Sequence, residues 1–129
     1  ILAVAALKLG AERGLGVDND PQALVASREN ARRNSIAEER FMVTLPDAQT
    51  NAAWRGQADV VVANILAGPL AELSDTLLSL LKPGGTLLLS GLLQNQAAVL
   101  CAHYAPRLTL HVAGEREDWV CLQGTLPAT

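Results

Sequence analysis

The chain has 129 residues, a formal net charge of −3 and a hydrophobic share of 50%. This length and balance fit one globular domain with a single core and exclude a disordered chain. The acidic balance leaves no basic face of the kind that nucleic acids and anionic membranes bind, so we expect neither partner.

The two cysteines, Cys101 and Cys121, lie in apolar runs and lack the close spacing of metal ligands. We therefore expect free thiols, no metal site and a cytoplasmic protein. No apolar run reaches the roughly 18 residues that a transmembrane helix needs, and we recognise no signal peptide. A monomer is the expected state.

The first half of the chain alternates helical and strand patterns. The apolar run Ile1–Leu9 predicts a helix that ends at a glycine, and Gly14–Asp18 predicts a short strand. Asp20 precedes a proline and is expected to cap a helix that runs to about residue 33. Arg40–Thr44 predicts the next strand, and Leu45–Gly56 predicts a loop with room for one helical turn.

The second half continues the alternation. The continuous apolar run Ala58–Asn64 predicts a strand that is buried on both faces, as in a parallel sheet. Leucines at spacings of three and four predict an amphipathic helix over Leu66–Leu80, which Lys82–Gly85 stops. Thr86–Ser90 predicts another buried strand. A further helix is expected to turn four residues inward: Ala97, Leu100, Cys101 and Tyr104.

The end of the chain predicts a hairpin. Leu108–Val112 and Trp119–Leu126 both favour strands, and only the short polar segment Gly114–Asp118 lies between them. Because that segment has no room for a crossover helix, the two strands must be antiparallel. We therefore predict an α/β fold with a doubly wound, mostly parallel, Rossmann-like sheet and an antiparallel C-terminal hairpin.

Asp18 is a candidate ligand residue at the carboxyl end of the predicted Gly14–Asp18 strand. In nucleotide-binding α/β folds, an acidic residue at this place accepts hydrogen bonds from ribose hydroxyls, about 20 residues after a glycine-rich loop. Counting back from Asp18 places that loop just before Ile1, so we expect this sequence to begin inside a longer domain. The alternative is that Asp18 only caps the following helix.

Asn64 is the second candidate, because it ends the most apolar predicted strand at the sheet edge where ligands bind. Its side-chain carbonyl can accept a hydrogen bond from an amine and direct the lone pair of that amine toward an electrophilic methyl group. The alternative is an ordinary turn-forming asparagine.

Several segments resemble the ribosomal protein L11 methyltransferases, a family of class I methyltransferases. Val60–Leu70 is similar to the motif that follows the family's fourth strand. The other similar segments are Ile1–Gly10, Gly16–Ala23, Pro83–Gly85, Ser90–Leu93 and Glu117–Trp119.

The resemblance implies a cytoplasmic enzyme that transfers methyl groups from S-adenosylmethionine to amino groups, N-terminal and lysine, of a large-subunit ribosomal protein. It implies that Asp18 and Asn19 bind the cofactor ribose, and that Leu45 and Pro46 lie near the adenine. Asn64 would lie beside the cofactor and the incoming amine. The family's glycine-rich loop, first strand and amino-terminal recognition domain are not in this sequence, so the chain alone is expected to lack part of the cofactor site and to be of low stability.

Two alternatives remain open at this point. A dinucleotide-dependent oxidoreductase shares the acidic ribose ligand but does not explain the terminal hairpin. A non-catalytic methyltransferase-like binding module explains the fold without an activity. His103 and His111 are expected to have no catalytic role, since neither ends a predicted strand at its carboxyl edge.

Overall fold

A computed structural model of the chain describes residues 6–18, 20–46, 48–64, 70, 73–105 and 107–127. The chain divides into two compact units, Ile1–Thr50 and Asn51–Thr129. In chain order, the described elements are β1 (Gly14–Val17), α1 (Pro21–Arg33), a 3-10 helix (Glu38–Arg40), β2 (Phe41–Thr44), α2 (Ala48–Ala53), β3 (Ala58–Asn64), α3 (Ser74–Leu80), β4 (Leu81–Leu93), α4 (Gln94–Tyr104), β5 (His111–Arg116) and β6 (Trp119–Thr125). The organisation as a single catalytic domain stays a prediction.

The first unit opens on the end of the predicted amino-terminal helix. Residues 6–8 are helical, and Gly10 follows with φ of 119°, a conformation that suits glycine at a helix end. Residues 1–5 of that prediction lie outside the described residues. The guanidinium of Arg40 donates hydrogen bonds to the carbonyls of Leu7 (3.0 Å) and Ala11 (2.6 Å), which ties this turn to the start of β2.

A parallel strand pair and one helix form the rest of the first unit. β1 pairs with β2 in register from Gly14 opposite Phe41 to Val17 opposite Thr44. The carboxylate of Asp20 accepts a hydrogen bond from the backbone of the second helical residue (3.0 Å), so the predicted N-cap of α1 is confirmed. Among the described residues of this unit, Leu7, Ala31 and Ile36 are buried together in a small core cluster.

The second unit contains a four-stranded sheet in the order β3-β4-β6-β5. β3 is parallel to β4, whereas β4–β6 and β6–β5 are antiparallel. The predicted α/β fold, with parallel strands and an antiparallel C-terminal hairpin, is confirmed. Among the described strands, β1 and β2 form a separate two-stranded sheet.

The prediction that β3 is buried on both faces is wrong. Val60 is 54% exposed and Val62 is 46% exposed, whereas Ala63 is buried. The reason is that the core cluster of this unit includes Ala63 and packs against only one face of the strand, with Val61 at its margin. Alternate residues of β3 therefore differ in burial, as on a half-buried strand.

The predicted helix over Leu66–Leu80 is only partly confirmed. Residues 65–69, 71 and 72 lie outside the described residues, and α3 begins at Ser74. Leu73 precedes α3 as its cap, with ψ of 6°, and its side chain is exposed, so its predicted inward position is wrong. The ψ of Leu73 is not helical, so this leucine lies outside the helix with whose apolar residues it was predicted to align. The helix ends at Leu80 as predicted.

β4 is longer than predicted, because it begins at Leu81 and runs to Leu93. The segment Lys82–Gly85, which was predicted only to stop the preceding helix, is part of this strand. The backbone N–H of Gly84 donates to the carbonyl of Leu126 (2.9 Å), and the N–H of Leu126 donates to the carbonyl of Gly85 (2.8 Å). These pairings extend the strand beyond the apolar run that the sequence pattern reveals.

The hairpin is confirmed, but its first strand is shifted. β5 begins at His111 and extends through most of the segment predicted to be a polar connection, leaving a two-residue turn at Glu117 and Asp118. Leu108 and Leu110 are buried in the core without belonging to a strand. The alternation at 108–110 therefore reflects burial and not strand pairing.

Helix α4 closes the core of the second unit with its predicted inward face. Tyr104 has no exposed surface, and its hydroxyl donates to the carbonyl of Leu70 (2.7 Å). Burial raises the pKa of Tyr104 to about 12, because the phenolate would lose its hydration. Leu100 is buried beside it, and Ala97 and Cys101 pack against the same cluster.

We expect Tyr104→Phe to lower the free energy of unfolding by about 1–3 kcal/mol, since the carbonyl of Leu70 loses its buried donor. The folded pKa of Tyr104 is above the unfolded value near 10, so its contribution is complete below pH 10 and is lost as the pH rises through about 12. The tyrosinate absorbance difference between wild type and Tyr104→Phe measures this titration. A midpoint near pH 10 in the folded protein would contradict it.

Candidate functional site

Asp18 lies at the carboxyl end of β1, as predicted. Its backbone N–H donates to the carbonyl of Thr44 (3.2 Å), which continues the parallel pairing one residue past the strand. Its side chain is exposed, and one carboxylate oxygen accepts a hydrogen bond from the backbone of Asp20 (2.9 Å). This turn uses one of the two carboxylate oxygens and holds the group at the strand edge.

The alternative that Asp18 caps the following helix is wrong, because Asp20 is the N-cap of α1. The two neighbouring carboxylates therefore have different structural roles. Asp20 satisfies a helical N–H, whereas Asp18 is positioned by the turn that leads into the helix.

Leu45 and Pro46 follow β2 at the same edge as Asp18. The register that places Val17 opposite Thr44 brings the residues that follow the two strands to one level. Leu45 is 42% exposed, and Pro46 is exposed as well. The first unit thus combines a carboxylate with an apolar surface at one strand edge. Asn19, which was predicted to bind the ribose together with Asp18, lies outside the described residues.

Asn64 is the last residue of β3 in the second unit, as predicted, and its side chain is exposed. It opposes Ser90 of β4, one step after the buried pair Ala63 and Leu89. Because successive side chains alternate between faces, Asn64 and Ser90 lie on the face opposite the core. Residues 65–69, which follow Asn64, lie outside the described residues.

Sequence reasoning missed the extension of β4 beyond Asn64. β4 continues for three residues past Ser90, and its last residue, Leu93, opposes Trp119 of β6. A β-bulge lies between Leu89 and Leu92 in this pairing, where Gly91 has φ of 85°. A glycine within a strand pattern is the one sequence signal that points to such a bulge.

A cavity of about 450 Å³ lies at the end of this extension. It is lined by Leu93, Gln94, Asn95 and Asp118. The backbone N–H of Gln94 donates to the carbonyl of Asp118 (2.7 Å), so the turn of the hairpin is fastened to the start of α4.

The arginines of α1 form a solvated face, as expected for charged residues on a helix. Arg32 and Arg33 both pair with Glu29, and all of these groups are at the surface. The hydrogen bond from Arg32 holds the pKa of Glu29 below its ordinary value. Arg28 reaches the carbonyl of Val43 at 3.4 Å. We assign no ligand to this face.

In the described ranges, no group of three or more His, Cys, Asp or Glu side chains is arranged to hold a metal ion. Cys101 and Cys121 are free and half-buried, as expected. His103 and His111 are exposed.

Comparison with known proteins identifies one family. The family described as ribosomal protein L11 methyltransferase (PrmA) matches residues 1–127 of this chain. A ribosomal protein L11 methyltransferase of Pseudomonas aeruginosa is 53% identical over 124 residues, and one of Photobacterium profundum is 49% identical over 124 residues. Each match covers 96% of this chain, and the chain spans 41% of the length of these relatives.

Solved structures give the same fold. The crystal structure of a ribosomal protein L11 methylase from Lactobacillus delbrueckii subsp. bulgaricus has a TM-score of 0.81 and 30% identity, and the match covers 98% of this chain and 64% of that one. An RNA methyltransferase from Salinibacter ruber, solved with S-adenosyl-L-homocysteine, has a TM-score of 0.71 at 20% identity, over 99% of this chain and 74% of that one. The second likeness concerns the fold alone.

Proposed function

Because this chain belongs to the ribosomal protein L11 methyltransferase family, we propose that it forms the cofactor-binding part of an enzyme that methylates amino groups of ribosomal protein L11. The methyl donor is S-adenosylmethionine, and the acceptors are the N-terminal amine and lysine side chains. The observation that carries this proposal is the exposed carboxylate of Asp18 at the carboxyl end of β1.

The residues of the first unit suit the ribose and adenine of this cofactor. The Asp20 hydrogen bond occupies one oxygen of the Asp18 carboxylate, so the other is available to accept from ribose hydroxyls. The exposed surfaces of Leu45 and Pro46 at the same edge suit the faces of an adenine ring. Asn19 is proposed as a further ribose contact from the family resemblance alone.

Asn64 is proposed to hold the incoming amine. S-adenosylmethionine supplies a methyl group that a positively charged sulfur already activates, so the protein needs no metal or nucleophile for the transfer. The side-chain carbonyl of Asn64 accepts a hydrogen bond from the amine and fixes the direction of its lone pair. The neutral amine is the reactive form, because protonation occupies the lone pair that attacks the methyl group.

The family also suggests where the protein acts and with which partners. We propose a cytoplasmic monomer that binds a ribosomal protein directly and does not bind nucleic acid or membranes. None of the helices in the described part of the chain has the length and apolarity required to cross a membrane.

Asp18→Asn tests the cofactor proposal in the full-length product of the gene that encodes this chain. Asparagine keeps an oxygen for the turn to Asp20 but removes the charge, so the hydrogen bonds from ribose hydroxyls weaken. Loss of a charge-assisted pair predicts a Kd for S-adenosylmethionine raised about tenfold to a hundredfold. Isothermal titration calorimetry measures this constant.

Asp20→Asn is the matched control, since it makes the same charge change two residues away and preserves a good N-cap. We expect its Kd to stay within about twofold of wild type. Equal effects of the two variants would contradict a direct role of Asp18. Binding of a nicotinamide dinucleotide with no binding of S-adenosylmethionine would favour an oxidoreductase and reject the proposed function.

A further inference from the structure

Strand register places Asn64 and Trp119 on the same face of the second unit's sheet. Asn64 opposes Ser90 on the face away from the core. The bulge inserts one extra residue into β4. Beyond it, Leu92 is buried in the core and opposes the buried Val120 of β6. Leu93 and its partner Trp119 therefore return to the face that carries Asn64.

The separation of these two residues suits a short peptide. β3 and β6 flank β4, so Asn64 and Trp119 are about 10 Å apart across the sheet, at about 4.8 Å per strand. β4 extends three residues beyond Ser90, the partner of Asn64, and this extension adds about 10 Å along the strand direction. The resulting Cα separation of about 14 Å is the span of roughly four extended residues.

The segment Glu117–Trp119, here called the hairpin tip, has the chemistry to hold a positively charged peptide. Trp119 is 52% exposed although tryptophan is usually well buried. Glu117 and Asp118 are exposed beside it, and Asp118 also lines the 450 Å³ cavity at the start of α4. An exposed indole packs against the aliphatic part of lysine and attracts its ammonium, and the carboxylates add to that attraction.

We propose that Trp119 is a specificity-determining residue that holds the lysine-bearing segment of the protein substrate while Asn64 engages the amine to be methylated. This inference rests on the proposed function, because it assigns the acceptor side of the same reaction. The occupant is a basic polypeptide segment. Arg116 is the cross-strand partner of Trp119, but the carboxylates of Glu117 and Asp118 outnumber it, so the local charge favours a basic segment over an acidic segment or a nucleic acid.

Trp119→Ala tests the inference in the full-length gene product. We expect the Kd for L11, and the KM for L11 in methyl transfer, to rise about tenfold, which is typical of an aromatic residue that anchors an interface. Trp119→Phe should recover most of the affinity, since it restores an aromatic face. The Kd for S-adenosylmethionine should stay within about twofold of wild type in both variants.

Val112→Ala is the matched control. Val112 is an exposed apolar residue of the same hairpin at 47% exposure, but it opposes Leu122 in the middle of β6, three residues along the strand from Trp119. Its removal should leave the Kd for L11 unchanged. Circular dichroism and the thermal midpoint establish that each variant is folded.

The outcomes separate the two proposals. If Trp119→Ala leaves the Kd and KM for L11 unchanged while Asn64→Ala still lowers kcat about a hundredfold, this inference is overturned and the proposed function stands. An unchanged Kd for L11 together with a changed sedimentation coefficient would assign Trp119 to self-association and also overturn it. A wild-type protein that methylates nothing overturns both.

Discussion

Asn64→Ala in the full-length gene product is expected to lower kcat for methyl transfer about a hundredfold, with little change in the thermal midpoint. Asn64 ends β3 with an exposed side chain, so its removal creates no cavity in the core. The variant loses stabilisation of the transition state, because a fixed hydrogen-bond partner that orients the reacting group contributes about 10²-fold or more to the rate. Single-turnover transfer of a labelled methyl group measures the effect.

Asn51→Ala is the control for this variant. It removes the same amide group from α2, in the same unit but away from a strand end, and should retain wild-type kcat. If Asn64→Ala retains full activity as well, Asn64 is only a turn former, and the non-catalytic module becomes the better account of this segment.

Gly124→Ala is expected to lower the free energy of unfolding by about 3 kcal/mol or more. Gly124 lies in β6 opposite Leu87, where an added methyl group would overlap the side chain of Leu108 and lie 2.7 Å from the carbonyl oxygen of Thr109. The oxygen belongs to the backbone between the buried residues Leu108 and Leu110, so a side-chain rotation cannot relieve this overlap. Urea denaturation followed by circular dichroism measures the change.

Gly114→Ala provides the matched control in the same hairpin. A methyl group there meets nothing within 4 Å, so we expect a change of less than about 0.5 kcal/mol. A wild-type urea midpoint for Gly124→Ala would show that β6 and the 108–110 segment do not pack as described.

Local sequence signals predicted the parts of the fold that depend on neighbouring residues. The Asp20 cap and the proline after it mark the start of α1, because they satisfy the free N–H groups of the first turn. The short connection before Trp119 required an antiparallel hairpin, because a crossover helix does not fit. The position of Asp18 followed from the general rule that ligands meet the carboxyl ends of parallel strands.

Features that depend on distant partners could not be predicted in this way. The apolar run of β3 indicates a strand but cannot say that the core covers one face only, which leaves Val62 exposed. The extension of β4 to Leu93 depends on pairing with β6 and on the bulge at Gly91. Only this strand register places the hairpin tip on the same face as Asn64, although the sequence of the tip already resembles the family.

Methyl transfer to L11 is the measurement that tests the central claim most directly. The full-length gene product is incubated with methyl-labelled S-adenosylmethionine and L11 of the same organism, and the label is mapped by mass spectrometry. We predict label on the N-terminal amine and on lysine side chains of L11, and its loss in Asn64→Ala. Label on ribosomal RNA alone, or no label on either molecule, would contradict the account.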